Sequence, residues 1–375
     1  MTRFLATLFV CLAAAPLWAQ PLNRTPAPGE YQTPQQTAAN MKLPDGFKAH
    51  VFAGEPEIAQ PIAMCVDARG RVWIIENYSY PNWAKEGNDK VVILEDTDGD
   101  SVHDKRTVFW DKGNFATGLA VGYGGVWVGS PPNLLFIPDR DGDDKPDGPP
   151  EVLLDGWGHH DTHETMNTFI WGPDGWLYGS HGVFTHSKVG KPGTPDDERV
   201  VINAAIWRYH PVRHEFERFA EGGSNQWGVD FNDHGHAFMT ACVIPHLFHI
   251  VQGGRYHRQG GQHVNPHTYA DLKTIRTHSH FAAAFAGATV YLGDQFPDRY
   301  RNQLFFNNIH ASKVHVDLLE PKGSGYVGKL GPHDEPLTGE RKLAPHDARG
   351  AGFINNGDKW VRGLSLRLAP DGGLY

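Results

Sequence analysis

The segment 158-GHHDTHETMNTFIWGPDGWLYGSHG-182 holds the densest group of side chains that could move protons or bind metals. An imidazole titrates near neutral pH, so a histidine can serve as a general base, a metal ligand or an anion-binding group. Similar polar runs begin other apolar strands at 222-GGSNQWG-228, 278-HSHFAAAFAG-287 and 360-WVRG-363.

We expect these runs to meet at one cavity. The residues expected to bind an anion or a cofactor there are His160, His181, His278, His280 and Arg362, and His163 is expected to face the same cavity. The alternative is that many of these histidines lie at the surface, because the chain has 22 of them.

Two acidic loops have the spacing of calcium ligands. The stretch 96-DTDGDSVHD-104 and its near copy 139-DRDGDDKPD-147 place Asp at the first, third, fifth and ninth positions. Ca²⁺ takes about six to eight oxygen ligands, and a backbone carbonyl at the seventh position can add one. The predicted ligands are Asp96, Asp98, Asp100, Asp104 and the Val102 carbonyl in the first loop, and Asp139, Asp141, Asp143, Asp147 and the Lys145 carbonyl in the second.

These loops are not EF-hands. The twelfth position is Thr107 in one loop and Pro150 in the other, where an EF-hand has a bidentate Glu. The apolar runs 90-KVVILE-95 and 134-LLFIP-138 precede the loops and predict strands rather than helices. We therefore predict calcium in a structural role between outer strands. The alternative is an acidic turn without metal, because Asp and Gly are common turn residues.

A repeated hairpin pattern supplies the elements that must position these groups. Each copy is a short apolar strand, a tight turn ending in Gly and a second apolar strand, and Gly at that place provides the positive φ of the turn. The marker glycines are Gly70, Gly124, Gly175, Gly235 and Gly372. The last gap is about twice the others, and an altered copy, 288-ATVYLGDQFPDRYRNQLFFNN-308, lies within it.

Six copies predict an all-β fold, a six-bladed β-propeller over residues 43–375. A β-sandwich is the competing all-β solution, but it does not produce a long repeat with the same turn chemistry. The chain stops inside the sixth hairpin, so the last blade is expected to be incomplete. Residues 43–52 then supply missing strands, or the sequence is part of a longer protein.

The N-terminus predicts export. Residues 1–19 have an early Arg, a short apolar run and small residues before the expected cleavage site, which is typical of a signal peptide. The alternative is a buried N-terminal helix. Residues 20–42 are polar and Pro-rich and predict a flexible lead-in. No later run reaches the roughly 20 apolar residues of a transmembrane helix, and no Lys/Arg run suggests nucleic acid as a partner. A periplasmic or extracellular location is therefore expected.

Several of these motifs carry a family resemblance. The run DTHETMNTFIWGPDGWLYGSHG, the paired Asp loops, SNQWG and YLGDQFPDRYRNQLFF are similar to the propeller of the PVC-type membrane-bound dehydrogenase proteins over about residues 43–375. More remotely, the chain resembles the soluble quinoprotein glucose/sorbosone dehydrogenases, mainly in the third and fourth hairpin regions.

The resemblance implies oxidation of a sugar or alcohol with pyrroloquinoline quinone (PQQ) as cofactor. In the quinoprotein enzymes a channel His takes a proton from the sugar, and an Arg-Asn pair assists. Glu164 stands at the position of that His, with His163 one residue before it. Asn225 matches the Asn, but Ser224 replaces the Arg, and no counterpart of the cofactor-binding Lys is evident. The PVC-type family also implies electron transfer to a cytochrome c-type haem on an attached module or a partner.

Three functions follow as hypotheses. The first is an exported sugar or alcohol dehydrogenase-like domain, with His163 as base and Asn225 orienting the substrate. The second is a non-catalytic, calcium-stabilised propeller that binds a glycan or a protein partner. The third is a lactonase-type hydrolase with a channel cation, for which the only candidate carboxylates are Glu76, Glu164 and Asp230.

Overall fold

The chain folds into a β-propeller built almost entirely from antiparallel sheets, as the repeat predicts. The computed structural model describes residues 31–83, 87–265, 270–280, 284–333, 352–358 and 360–375. The predicted signal peptide and residues 20–30 of the lead-in lie outside the described residues. The propeller belongs to the compact unit Thr33–Tyr375.

The first two sheets each contain four antiparallel strands in chain order. Sheet 1 consists of β1 (Pro61–Val66), β2 (Val72–Glu76), β3 (Asp89–Glu95) and β4 (Lys105–Gly113). Sheet 2 consists of β5 (Gly118–Val121), β6 (Gly125–Ser130), β7 (Asn133–Pro138) and β8 (Glu151–Leu154).

Sheet 3 is larger and carries a small added hairpin. Its first four strands are β9 (Asn167–Trp171), β10 (Leu177–His181), β13 (Ala205–His210) and β14 (Glu215–Gly223). Between β10 and β13 the chain forms a separate hairpin of β11 (Ser187–Val189) and β12 (Val200–Ile202). Sheet 4 has three strands, β15 (Val229–Phe231), β16 (Ala237–Thr240) and β17 (Leu247–Ile250). The next strand, β18 (Gly254–Arg258), pairs in parallel with β14 and so returns the chain to sheet 3.

Sheet 5 completes the series of multi-stranded sheets in the described part of the chain. It contains β19 (Phe285–Val290), β20 (Leu304–Asn308), β21 (Lys313–Lys322) and β22 (Gly325–Leu330), with the short β23 (Ile354–Asn355) paired to β21. A 3₁₀ turn, Asp298–Tyr300, lies in the long turn between β19 and β20, where the sequence predicts the altered copy of the hairpin.

The five marker glycines adopt the backbone conformation predicted for them. Their φ values lie between +75° and +82°, a region that L-residues with a side chain rarely occupy. Four of the five turns share one pattern, in which the Gly N–H donates to the carbonyl three residues earlier, as in Gly70 to Asp67 and Gly175 to Gly172. The repeated sequence pattern therefore corresponds to a repeated turn structure.

The core lies between neighbouring sheets rather than within them. Trp73 of sheet 1 packs with Val128 of sheet 2, and Trp127 of sheet 2 packs with Phe169 of sheet 3. The same relation continues from sheet 3 to sheet 4 and from sheet 4 to sheet 5. Each apolar strand face is covered only by the next sheet, so neighbouring sheets stabilise each other.

The C-terminal hairpin closes the series. Leu368 pairs with Leu374, and both pack against the Tyr291 region of sheet 5. Tyr375 packs on the other side against sheet 1. From this hairpin the buried Arg367 guanidinium donates to the carbonyl of Phe169 in sheet 3. The hairpin thus occupies the place between sheets 5 and 1. The count of six blades stays a prediction, because only this hairpin of the sixth position lies in the described residues.

A short helix precedes the propeller. The helix α1 (Pro34–Asn40) begins with a capping box between Thr33 and Gln36, and Thr37 is buried and donates its hydroxyl to Asp358. This helix lies within the segment for which the sequence predicts a flexible lead-in, and no local pattern indicates its partner Asp358, which is distant in the chain. Among the described residues, no helix has the length and hydropathy that a bilayer crossing requires.

Strand alternation separates the two ends of the propeller. Both acidic loops connect the third and fourth strands of their sheets, so they share an end with the glycine turns. The loops that enter the first strand of each sheet, or join its second and third strands, lie at the other end. This second end holds the candidate catalytic residues, and we call it the site end.

The turn geometry makes a testable prediction. Gly70 has φ +82° and Gly148 has no positive φ, although a Cβ added at either position meets nothing within 4 Å. Gly70→Ala should lower the free energy of unfolding by about 1 kcal/mol through backbone strain alone. The matched control, Gly148→Ala, should change it by less than about 0.5 kcal/mol. Urea denaturation measures both, and equal effects would contradict the assigned turn.

Candidate functional site

An Asp-His pair lies at the site end in the loop that enters β9. The Nδ1 of His163 is 2.8 Å from Oδ1 of Asp161, and the same oxygen accepts the backbone N–H of His163 at 2.9 Å. The His163 side chain is 68% exposed, whereas that of Asp161 is 21% exposed. A carboxylate that holds Nδ1 leaves Nε2 as the ring nitrogen available to a substrate, which is the arrangement of an oriented general base.

Aromatic rings surround this pair. The ring of Tyr80, from the loop after β2, meets His163 edge to face at 6.0 Å between centroids. Trp83 stacks on His159 at 4.9 Å, and His159 in turn lies parallel to His160. Tyr80 is 37% and Trp83 39% exposed. Flat, partly exposed rings beside a polar pair are suited to the apolar C–H face of a sugar ring.

Glu164, the next residue, is buried and holds a neighbouring loop. Its carboxylate accepts the backbone N–H of Val183 at 3.0 Å and that of Phe184. Burial raises the pKa of Glu164 to about 8, with a contribution from Asp161, more than the loop amides lower it. Glu164 is fully buried and does not contact solvent. It positions a loop in which the Thr185 hydroxyl accepts the backbone N–H of Asp161.

Asn225 lies on a segment joined to that loop by hydrogen bonds. The Gln226 amide donates to the carbonyl of His181 at 2.9 Å, and Ser224 donates its hydroxyl to the carbonyl of Cys242. Asn225 is half-buried, and its Oδ1 has no hydrogen-bond partner within the described part of the chain. The oxygen is itself buried, so a ligand hydroxyl or amide reaches it only when the side chain moves.

The five predicted histidines occupy three different environments. His181 is a core residue that contacts Ser187 through Nε2 and packs near Trp157, and burial lowers its pKa to about 4. His160 and His163 are exposed, while His278 and His280 meet in a buried cluster. The environments differ because the position of a residue in the chain predicts which end of a strand it occupies. It does not predict how deeply the side chain is buried.

Arg362 lies at the surface rather than in a cavity. Its guanidinium donates to the hydroxyl of Ser312 and to the carbonyl of Val361. Cys65 and Cys242 are both free thiols.

His278 and His280 belong to a buried group of three imidazoles around one carboxylate, which we call the His3Asp cluster. Both of their Nε2 atoms face Oδ1 of Asp317, at 3.0 and 2.8 Å, and they lie 3.1 Å from each other. The Nε2 of His246 is 2.7 Å from the other oxygen, Oδ2. Asp317 and His246 are fully buried.

The surroundings of the His3Asp cluster are apolar. Phe285 and Phe306 pack against His246, and His315 stacks against His280 with its centroid at 4.1 Å. Burial lowers the pKa of His246 to about 4, against the opposing effect of Asp317. Burial alone raises the pKa of Asp317, but the surrounding imidazoles, by charge interaction and hydrogen bonds, hold it well below its ordinary range.

Two members of this cluster were missed by sequence reasoning. The His-x-His spacing of His278 and His280 was visible, because residues two apart in an extended segment share a face. His246 and Asp317 come from the loop before β17 and from the middle of β21, on different sheets. The chain carries no local pattern that links them to His278.

The acidic loops follow the predicted β3 and β7 strands and bring part of each ligand set together. Carboxylate oxygens of Asp96, Asp98 and Asp104 lie within 4.8 Å of one another, as do those of Asp139, Asp141 and Asp143. Asp100 instead accepts the N–H of Val102, and Asp147 that of Arg140. The side chain of Lys145 lies 3.0 Å from Asp143. Burial and the nearby Asp144 and Asp141 raise the pKa of Asp139.

Solved structures of low sequence identity share this fold. The chain is similar to the PQQ-bound aldose sugar dehydrogenase of Streptomyces coelicolor, with a TM-score of 0.52 and 13% identity over 87% of this chain and 88% of that one. It is also similar to the PQQ domain of pyranose dehydrogenase from Coprinopsis cinerea, with a TM-score of 0.52 and 11% identity over 89% of this chain and 93% of that one. At these identities the likeness establishes the fold alone.

Sequence comparison gives a family but no characterised relative. No curated protein matches the chain. A family model described as a domain of unknown function, DUF7133, matches residues 33–375. The resemblance to quinoprotein dehydrogenases is thus supported in fold, and the assignment to the PVC-type proteins stays a prediction.

The buried Glu164 generates a prediction for the pH dependence of stability. Its folded pKa of about 8 exceeds the ordinary value of 4.5, so the folded state keeps a proton that the unfolded state has lost. The free energy of unfolding should therefore fall as pH rises toward 8, by at most about 1.4 kcal/mol per pH unit. Buried histidines with lowered pKa values give the opposite slope, which ends near pH 6.5.

The test is urea denaturation between pH 6.5 and 8. The wild-type protein should lose stability across this window, and Glu164→Gln should lose much less because it cannot titrate. Parallel curves for the two proteins would show that Glu164 is ionised throughout and that its raised pKa is incorrect.

Proposed function

The chain belongs to the DUF7133 family, and we propose that it is an exported, dehydrogenase-like β-propeller that oxidises a sugar or an alcohol. The observation that carries the proposal is the Asp161–His163 pair, an oriented and solvent-accessible imidazole at the site end. The similarity in fold to sugar dehydrogenases supports the reaction class, and the aromatic rings of Tyr80 and Trp83 support a carbohydrate as substrate.

In the proposed reaction, His163 accepts the proton of the substrate hydroxyl through Nε2. Asp161 holds the ring by Nδ1 and stabilises the imidazolium that forms. As the O–H bond breaks, the carbon loses a hydride, so two electrons and one hydrogen pass to an acceptor and a carbonyl product remains. Asn225 contributes its unpartnered Oδ1 to the orientation of a neighbouring hydroxyl.

The described residues fit PQQ poorly at the position where the resemblance expects an Arg. PQQ carries several carboxylates, for which a guanidinium is a bidentate partner. Ser224 stands there instead, is fully buried, and uses its hydroxyl on the carbonyl of Cys242. We therefore assign no step to PQQ. The hydride needs an organic two-electron acceptor of the quinone class, supplied from outside the described residues. A cytochrome c-type haem on a partner or an attached module takes one electron at a time, so we propose it as the next acceptor in the chain.

Calcium is proposed as a structural ion in the two acidic loops. In each loop, three carboxylates lie close together, and one oxygen of Asp139 is buried without a partner in the described structure. Like charges at this distance repel, and a hard divalent cation removes the repulsion while cross-linking the outer strands.

A second candidate function is glycan binding without turnover. The exposed faces of Tyr80 and Trp83 favour it, because stacking on a sugar needs no redox partner. The two candidates predict different roles for His163. It is the catalytic base in the dehydrogenase, and it contributes at most to binding in the glycan-binding protein.

Activity assays should separate these candidates. Purified protein is given a panel of aldoses and alcohols with an artificial dye or cytochrome c as acceptor, in the presence and absence of added PQQ. The proposal predicts turnover that His163→Gln lowers by about 10²–10⁴-fold in kcat, because a general base contributes that much. Asp161→Asn should lower kcat less and shift its pH profile.

The matched control is His186→Gln, which removes another exposed imidazole, from the segment between β10 and β11, and should leave kcat unchanged. Sugar binding without turnover under every acceptor condition would favour the glycan-binding candidate. Turnover that survives in His163→Gln would refute the assigned base.

Calcium should raise the melting temperature. Adding Ca²⁺ to metal-free protein is expected to increase Tm by a few degrees, since a ligand that binds only the folded state stabilises it. The double variant Asp98→Asn with Asp141→Asn should lose most of this increase. Calorimetry with Mg²⁺ as the control ion measures the effect, and an unchanged Tm in wild-type protein would exclude stabilising calcium sites.

A further inference from the structure

We propose that the His3Asp cluster is a binding site for a divalent first-row transition metal. Its four ligands are His246, His278, His280 and Asp317. The site is separate from the Asp161–His163 pair and from the acidic loops, and it does not depend on the dehydrogenase proposal.

The first argument is the convergence of ligand atoms. Three Nε2 atoms and a carboxylate lie within 4.8 Å of one another, and the contacts between them span 2.7 to 3.1 Å. Four ligands about 2.0–2.1 Å from a tetrahedral metal stand about 3.3 Å apart. A small outward movement of each side chain therefore creates room for an ion.

The second argument is that hydrogen bonds alone leave the polar atoms of the His3Asp cluster in unfavourable contacts. His278 and His280 both direct Nε2 at the same oxygen of Asp317, while the two nitrogens lie 3.1 Å from each other. If both nitrogens carry protons, the protons repel each other. If one does not, its lone pair faces the carboxylate oxygen. A bound metal ion removes either conflict, because each imidazole nitrogen and the carboxylate oxygen then directs a lone pair at the metal.

The third argument concerns charge. Asp317 is fully buried, and its ion-pair partners among the described residues are the three imidazoles. The Arg276 guanidinium also attracts this carboxylate, but it makes no ion-pair contact with it. A carboxylate removed from water needs compensating charge close to it. A divalent cation supplies that charge where the ligands converge.

The donor set selects the class of metal. Imidazole nitrogen is a preferred ligand of Zn²⁺, Fe²⁺, Ni²⁺ and Cu²⁺, whereas Ca²⁺ and Mg²⁺ prefer oxygen. Three imidazoles and one carboxylate complete the four-coordinate shell that Zn²⁺ favours in proteins. The chemistry therefore separates this site from the oxygen-rich loops at the opposite end.

The fold holds the ligands on rigid elements. His246 is fixed directly before β17 by the bond from Ala241 N–H to its carbonyl, and Asp317 is central in β21. The segment that carries His278 runs beside β22, with Thr277 bonded to Gly328. An ion here cross-links sheets 4 and 5 inside a layer of aromatic rings.

The test is metal analysis of the full chain. After chelation and reconstitution with Zn²⁺, the protein should retain one tightly bound ion and regain a melting temperature at least a few degrees higher. With Co²⁺, it should show the visible absorption of a nitrogen- and oxygen-ligated tetrahedral site.

Two variants and one control decide the location. His246→Ala and Asp317→Asn should each weaken zinc binding by at least about 100-fold, because even changes behind the ligands cost about 10–100-fold. His257→Ala removes an exposed histidine and should change nothing, which separates the site from adventitious binding by surface imidazoles. If His246→Ala does not fold, Asp317→Asn decides. Failure of the wild-type protein to retain an ion, or equal retention in folded Asp317→Asn, would overturn the proposal.

Discussion

The structure depends on one constraint: no hairpin of the repeat can cover its own apolar faces. Each sheet is buried only by the next one, so the sheets must form a closed series around an axis. The C-terminal hairpin completes that series by packing against sheet 5 on one side and sheet 1 on the other. The guanidinium of Arg367 then reaches from this hairpin to Phe169 in sheet 3, which ties opposite parts of the ring together.

The same constraint sorts polar side chains to the two ends of the ring. The sheet interfaces are apolar, so carboxylates and imidazoles collect where strands begin and end. The end with the glycine turns carries the acidic loops, whose oxygens suit a hard cation. The site end carries an exposed Asp161–His163 pair and, between sheets 4 and 5, a buried group around Asp317. Exposure suits the first to a substrate, and burial suits the second to a metal.

The sequence predicted the parts that local chemistry controls. The turn at Gly70 needs a positive φ, and β3 before the first acidic loop contains the apolar run 91–94, so both could be predicted from short stretches. How deeply a side chain is buried could not be predicted in this way. His181 and His163 stand near the ends of neighbouring segments, yet one is a core residue and the other is exposed. The partner of His280 on β21 is 37 residues away and is brought to it by sheet packing, which no local pattern encodes.

A crystal structure of the zinc-reconstituted protein, with anomalous scattering at the zinc edge, tests the central claim most directly: that the site end holds a metal centre built from two sheets. The account predicts one strong anomalous peak about 2.0–2.2 Å from the three Nε2 atoms and the Asp317 carboxylate. An ordered His3Asp cluster whose imidazoles still bond directly to Asp317, with no peak between them, would contradict it.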